Sequence, residues 1–390
     1  MGDRVEWSDL PKELWPTIGK HLNTRIDVLR FRSACQLWRS SIPPSHPNCP
    51  CFPIKIPYPI ESLIDVNLTQ TTVYLIEPPG DNCSTNPSTS SSSSSSSKGW
   101  LIKVQESNSA PMRVLNPLSN SVIRYPPDIF PKMLNLLDYR IVQVCKSYSL
   151  KYSTGFPAAG VKKVLFFPHS SWTNVEDCMI FSIYQEGKLG FMKYGAEKWT
   201  LVDDKNFCYV DVIVHKEQFY VVDRSGTIFW IDVSSLKLIQ FSPPLCGVGD
   251  QKHLVESCGD LYVVDKYFDK DPIRSMQHHD VNVDYYRDDN RDAREVVGFV
   301  IYKLDEEWGT WINVKNLGDR AFILGYDCSF SVSASEFAGF QRNCVYFSDR
   351  FDGRVYKLED RSIITLKFYP KCSNLFWPPP TWIRPKLDSF

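Results

Sequence analysis

Gln218-Phe219-Tyr220-Val221-Val222-Asp223 returns as Asp260-Leu261-Tyr262-Val263-Val264-Asp265, and again as Cys344-Val345-Tyr346-Phe347-Ser348-Asp349. The first two tyrosines stand 42 residues apart and the last two 84, twice that spacing. After each Asp a turn leads into another β-rich run, Gly226 to Asp232 in one copy and Gly353 to Leu358 in another. Gly298 to Leu304 carries the same run behind a long insertion, and Trp308-Gly309-Thr310-Trp311 echoes Lys198-Trp199-Thr200. A repeat near 42 residues with about four strands in each is what a propeller blade requires. A lone four-stranded sheet leaves a face unburied, and stacking blades around an axis covers it. A pair of β-sandwiches would lack this fixed self-similarity. At that period residues 61–390 have room for six or seven blades.

Upstream the same texture continues. Thr72 to Ile76, Trp100 to Val104, Met112 to Leu115, Ile141 to Val144, Val164 to Phe167 and Met179 to Tyr184 read as strands. The serine tract Ser88 to Ser97 has nothing to put in a core, so 82–98 is expected as a disordered loop. The segment 266–294, dense in both charge signs, is expected as a solvated loop that contacts a target. Pro43 to Pro59 holds seven prolines. Residues 45–60 are expected to be a stiff linker, with a loop packed on the second domain as the equal alternative.

The first 44 residues are patterned differently. Leu10, Leu14, Ile18 and Leu22 recur every four residues, the mark of one apolar helix face. Ser8 and Asp9 suit an N-cap and Pro11 a first turn, and Pro16 predicts that the regular helix starts near Glu13. Asp27 is expected to cap a second helix with Val28, Phe31, Cys35 and Trp38 on one face, stopped by Pro43-Pro44. Two helices this short cannot bury all these side chains against each other. Five of them buried in a partner would gain on the order of 10 kcal/mol gross.

The chain has 390 residues, 43% of them hydrophobic, which is ample for a large core. A net charge of −1 argues for neither nucleic acid nor an anionic membrane as partner. The start, Met1-Gly2-Asp3-Arg4-Val5-Glu6, is charged and is not expected to act as a secretory signal, and no apolar run reaches membrane-spanning length. The 12 cysteines are expected as reduced core residues, and Cys49-Pro50-Cys51 lacks the second pair a zinc site needs.

Two stretches resemble known families. Leu10-Pro11-x-Glu13-Leu14-x-x-x-Ile18-x-x-x-Leu22, followed by Asp27, Arg30 and Cys35-x-x-Trp38-Arg39, looks like an F-box. That resemblance implies binding to a Skp-type adaptor, and through it to a cullin, with Leu10, Pro11, Leu14, Ile18, Leu22, Leu29 and Trp38 as contact residues. Ala34, where that family has a larger aliphatic residue, and Pro16 depart from its pattern. Glu307-Trp308-x-x-Trp311 through Leu317-Gly318-Asp319-Arg320 to Gly325, with Asn343 to Asp349 and Asn116-Pro117-Leu118 upstream, is similar to the KIB-type β-propeller of plant F-box proteins. The expected fold is therefore mainly β, a short all-α F-box ahead of a propeller of about six or seven four-stranded blades. The resemblance implies the substrate-recognition subunit of an SCF ubiquitin ligase, at work in the nucleus or cytoplasm.

Candidate chemistry is sparse. His278-His279-Asp280 with Asp284 has metal-ligand types but sits in a polar insertion, where a solvated loop is the plainer reading. Leu317-Gly318-Asp319-Arg320 reads as a turn before it reads as a ligand loop. The recurring Asp223, Asp265 and Asp349 suit blade turns better than catalysis. Phe376 to Trp382 reads as a closing strand, with a peptide-binding patch as the alternative. No nucleophile elbow, phosphate loop or HExxH is present, and neither cofactor nor metal is expected. Two other functions stay open: a propeller enzyme or ligand-binding module, and an F-box scaffold that does not ubiquitinate.

Overall fold

The computed structural model describes residues 10–61, 63–77, 100–105, 113–123, 140–245, 247, 249–269, 294–337, 340–349 and 352–366. The serine tract, most of the charged insertion with His278, His279, Asp280 and Asp284, and Phe376 to Trp382 lie outside them.

The quoted motif explains the architecture once its burial is followed residue by residue. Successive side chains of a strand point to opposite faces. In β11 (Gln218–Asp223), Phe219 and Val221 pack toward one neighbouring sheet, and Tyr220 and Val222 toward the next. In β15 (Asp260–Phe268), Leu261 and Val263 face back toward β11 while Val264 and Phe268 face forward. In β20 (Cys344–Asp349), Val345 and Phe347 face β15's sheet, and Cys344 and Tyr346 face the first sheet of the chain. The motif is an unbroken apolar run, not an alternating one, because both of its faces are covered.

Five groups of strands follow. Blade 1 comprises β1 (Ile54–Pro57), β2 (Asp65–Glu77), β3 (Trp100–Gln105), β4 (Arg113–Leu115) and β5 (Arg140–Lys151). Blade 2 holds β6 (Val161–Phe167), β7 (Met179–Tyr184), β8 (Lys188–Lys193) and β9 (Thr200–Leu201). Blade 3 holds β10 (Tyr209–His215), β11, β12 (Ile228–Asp232) and β13 (Lys237–Gln240). Blade 4 holds β14 (Gln251–Ser257), β15, β16 (Val296–Asp305) and β17 (Thr310–Val314). Blade 5 holds β18 (Arg320–Leu324), β19 (Ser329–Ser333), β20, β21 (Asp352–Lys357) and β22 (Ile363–Leu366), in the order β19-β18-β20-β21-β22. All neighbours within the blades pair antiparallel except β18 with β20, which pair parallel. A single residue pair, Tyr148 with Val164, joins the sheets of blades 1 and 2.

Each blade packs on the next through its own apolar cluster, and the ring closes where Val73, Leu75, Leu101 and Leu118 of blade 1 meet Ala321, Ile323, Phe330 and Val332 of blade 5. The inner strands are stitched as well. Lys163 on β6 pairs with Asp211 on β10 at 2.9 Å, whose second carboxylate oxygen accepts from Leu254 N on β14 at 2.8 Å. Ser257 on β14 meets Ser331 on β19 at 2.8 Å. The described residues thus build five blades where a period of 42 leaves room for six or seven. The difference arises because blade 1 alone runs from Ile54 to Lys151 and blade 4 encloses the charged insertion, so the chain spends more residues per blade than the repeat implies.

The N-terminal segment forms three short helices, α1 (Leu14–Lys20), α2 (Arg25–Ala34) and α3 (Gln36–Ser41). Helix α1 starts beside Glu13, with Pro16 in its first turn, as the proline requires. Two expectations are corrected. The cap of α2 is Thr24, not Asp27: Asp27 N donates to Thr24 Oγ1 at 3.1 Å, and the Thr24 hydroxyl donates to Asp27 at 2.5 Å, a reciprocal capping arrangement. The second helix also ends at Cys35, whose extended backbone caps α3, so Phe31 and Trp38 sit on separate helices.

Residues 45–60 are not a stiff linker between two bodies but pack on the second domain, the alternative reading, and part of them is a strand and not a loop. Ile54–Pro57 is strand β1 paired with β2. Phe52 packs into the core between blades 1 and 2, and His46 N donates to Ser171 O at 2.9 Å. The prolines do not prevent this, because β1 lies at a sheet edge, where Pro57 need not donate.

Candidate functional site

The helices present two kinds of apolar residue. Trp15, Val28, Phe31 and Ile42 are buried, and Leu10, Ile18, Leu22 and Trp38 pack against them with Trp172 of blade 2. Trp38 lies 4.6 Å from both Trp15 and Phe31, ring centre to ring centre, so it belongs to an internal aromatic cluster. Leu14, Leu29 and Leu37 remain 43%, 37% and 38% exposed, beside exposed Pro11. Of the seven residues expected to form a contact face, the fold leaves Leu14, Leu29 and Pro11 outward, and Leu10, Ile18, Leu22 and Trp38 half-buried against the helices' own core. Leu37 is exposed as much as Leu29, yet reading α2 and α3 as one helix places it off the apolar face. Cys35, a workable N-cap in mid-pattern, is the signal that would have shown the break.

These helices are fastened to the propeller. Trp172 Nε1 donates to Leu22 O at 3.0 Å, and Ser171 N donates to Asn23 O at 3.1 Å. Arg30 donates to Ile141 O on β5 at 2.8 Å. Ile26 covers a patch of blade 1 made by Tyr74, Ile76, Ile102 and Ile141. Blade 2 covers the other half of that face, around Val66 and Leu68, so the helices occupy the part that blade 2 does not reach.

This docking fixes which end of the propeller is which. The 168–178 loop that holds the helices follows the C-terminal end of β6. At the other end, Val161, Lys162 and Lys163 line a cavity of about 350 Å³ with Val210 and Asp211 of β10, Gln251, Lys252 and His253 of β14, and Ser329 of β19. These positions are the N-terminal ends of four inner strands, so the cavity is the mouth of the central channel. Seven residues of strand separate the two ends by about 20 Å. The helices and the mouth therefore lie at opposite faces. Phe268 and Arg294, which flank the charged insertion, line the same mouth.

Charged side chains lie buried inside the propeller. Lys103, Asp211, Lys252, Asp265, Lys266 and Asp327 are all buried. Lys252 pairs with Asp265 at 3.1 Å, and Lys103 with Asp327, which also accepts from Asn120 Nδ2 at 2.8 Å. Burial works against both charges of the Lys103–Asp327 pair, and their attraction overcomes it, holding the ammonium above and the carboxyl below their ordinary values. Burial, seconded by the Lys266 charge, pushes His253 down to about 4, and its Nε2 is buried without a hydrogen-bond partner.

A second concavity of about 970 Å³ runs between blades 4 and 5, from Val297 and Gly298 on β16 to Tyr356 on β21. Gly318 lies at its edge, at φ +62°. Leu317-Gly318-Asp319-Arg320 is a turn, as expected: Asp319 accepts from the Ser333 and Ser335 hydroxyls and from Ser335 N, and Leu317 N donates to Asn343 Oδ1. Asp223 also behaves as a turn residue, accepting from Thr227 N at 2.8 Å. Asp265 and Asp349 pair with Lys252 and Arg354. Among the described residues no three His, Cys, Asp or Glu side chains gather to hold a metal.

A docked helical segment with three exposed leucines stands ahead of a ring of blades, the layout of an F-box protein with a β-propeller domain. The family model described as KIB1-4 beta-propeller matches residues 65–368, and the chain belongs to that family. F-box protein SKIP23 of Arabidopsis thaliana is 30% identical over 419 residues, covering 97% of this chain and 96% of that protein. F-box protein At4g35733 of the same plant is 30% identical over 400 residues, covering 97% of this chain and 99% of its own. The putative F-box protein At1g65770, also from Arabidopsis thaliana, is 31% identical over 391 residues, with 96% and 99% covered.

Proposed function

We propose that this protein is the substrate-recognition subunit of an SCF ubiquitin ligase. Its helices take a Skp-type adaptor and thereby a cullin, and its propeller takes a target protein. The observation that carries this is the exposure of Leu14, Leu29 and Leu37 on helices that otherwise bury their apolar side chains in their own core and against the propeller. Three large apolar side chains left in water on one small element suit an interface better than an isolated fold. The chain itself does no bond chemistry in this reading. It raises the concentration of target lysines beside a ubiquitin-charged enzyme. The channel mouth, at the face away from the helices and flanked by the ends of the charged insertion, is the surface that receives the target.

The test is binding of a purified Skp-type adaptor to the full chain and to Leu14→Asp. The wild-type chain binds; the variant, with a charge placed in an apolar contact, loses several kcal/mol of affinity. Leu14 is exposed in the free chain, so its thermal stability stays unchanged. Absence of adaptor binding by the folded wild type sinks the proposal. Adaptor binding without target ubiquitination in a reconstituted ligase would favour the scaffold reading.

A further inference from the structure

We infer that Cys145 and Cys328 are a redox pair at the seam that closes the ring, a modification site at which hydrogen peroxide converts two thiols to a disulfide that ties blade 5 to blade 1. The inference goes beyond the receptor reading and stands without it.

The register of blade 1 places the pair. Val73 on β2 stands opposite Lys103 on β3 and, on its other side, opposite Cys145 on β5. Residues directly opposite across a sheet share a face, so Lys103, Val73 and Cys145 form one row. Val73 belongs to the cluster in which blades 1 and 5 meet, so the row looks toward blade 5. Cys328, in the turn between β18 and β19, is a buried member of that cluster, and Cys145 packs against the same cluster. Lys103 Nζ lies 3.9 Å from Cys328 Sγ, and the two thiols are hydrogen-bonded to each other. Both cysteines are free, Cys145 half-buried and Cys328 buried. Cys344, which shares the cluster, instead turns its thiol to Arg342 O at 3.2 Å.

This arrangement gives the two sulfurs different roles. The hydrogen bond from Cys145, and after it the Lys103 charge, hold Cys328 below the ordinary thiol value in spite of its burial, while Cys145, as the donor, is held well above it. The thiolate is the form that peroxide oxidises. Cys328 Sγ forms an S–O bond to one peroxide oxygen as the O–O bond breaks, and the departing hydroxide takes the Cys145 proton and leaves as water. Cys145 Sγ then forms the S–S bond, the S–O bond breaks, and the second hydroxide takes a proton from solvent. Two thiols give up two protons and two electrons, and one peroxide becomes two waters. Peroxide is scarcely larger than water, and Gly325, Tyr326 and Ser329, on either side of Cys328, line the mouth cavity through which it can approach. The bridge joins residues 183 apart in the sequence and fixes the β18–β19 turn at that mouth.

The experiment uses the full chain, fully reduced and then exposed to hydrogen peroxide in slight excess. After denaturation the remaining thiols are alkylated and the tryptic peptides are weighed. A peptide pair joined through Cys145 and Cys328 is expected, and dithiothreitol releases it. The unfolding midpoint of the oxidised chain should lie about 5 °C or more above that of the reduced one, because a long loop is then closed in the unfolded state. Cys145→Ser changes a half-buried position and keeps a donor there. It should fold, form no such pair and show no rise with peroxide. The wild-type peptide map needs no variant, and decides the case even if Cys145→Ser misfolds. Both thiols alkylated after peroxide, or a bridge from either one to any other cysteine, overturns the inference. So does an equal rise in Cys145→Ser, or a Cys145–Cys328 bridge that leaves the midpoint where it was.

Discussion

At the residue scale, the buried charges stand furthest from what the pattern of the chain announces. Lys103 sits in a run that reads as an ordinary strand, Trp100 to Val104, and its partner Asp327 lies in the turn between β18 and β19. Nothing local marks either as buried, because the pair forms only where the last blade meets the first. Removing one partner leaves an uncompensated charge, so Asp327→Ala should cost about 3–5 kcal/mol in urea unfolding. Replacing the pair together, Lys103→Met with Asp327→Leu, should recover most of that loss. Acid sensitivity follows from two histidines. Burial, with Lys146 for His169 and Lys266 for His253, holds both at about 4, against 6.5 in an unfolded chain. Between those values the unfolded state binds protons that the folded state refuses, so stability is full above pH 6.5 and falls as pH drops toward 4. The Asp327 carboxyl, held below its ordinary value, adds a further loss at still lower pH. Urea midpoints measured from pH 7.5 to 4.5 check this, and His169→Gln with His253→Gln should flatten the slope.

At the scale of elements, the strands were legible because each covers its faces with consecutive or alternating apolar residues, and that record lies along the chain. The paired tryptophans of the echo behave alike in space. Trp199 Nε1, just before β9, donates to Pro57 O at 2.8 Å, and Trp311 Nε1, within β17, donates to Pro243 O at 2.9 Å. The helical segment was legible in its apolar spacing and not in its breaks. A polar cap and a hydrophobic face compete for the same few residues, and Thr24 and Cys35 decide the boundaries by hydrogen bonds that spacing does not show. Thr24→Ala should cost about 1 kcal/mol and Thr24→Ser little, read as hydrogen exchange in α2. The Pro-rich stretch misleads for a related reason: proline composition speaks for stiffness, while β2's open edge gives Ile54–Pro57 a strand to pair with.

At the scale of the whole molecule, the two parts form a body in which the helices occupy the part of blade 1 that blade 2 leaves bare. Arg30→Ala with Trp172→Ala removes two of the bonds that dock them. Hydrogen exchange should then rise across residues 25–41 while the blade strands stay protected, and adaptor binding should persist, since neither side chain is an exposed apolar contact. The seam that closes the ring joins family-typical residues distant in the chain: Tyr326 N donates to Leu118 O at 2.9 Å, and a Cβ at Gly325 would come within 2.6 Å of Pro117 O. Gly325→Ala should therefore loosen the seam and lower the unfolding midpoint, whereas a Gly318 exchange, with open space around its Cβ, acts only on the local turn. Read alone, the chain establishes a repeat of β blades, a helical segment with surplus leucines, and the absence of familiar catalytic motifs, because each is a matter of near neighbours and short periods. The closing of the ring, the buried Lys103–Asp327 pair and the docking of the helices come from contacts between residues a hundred or more positions apart. Those depend on where the ring closes, and closure is set by packing between blades, which no local period encodes.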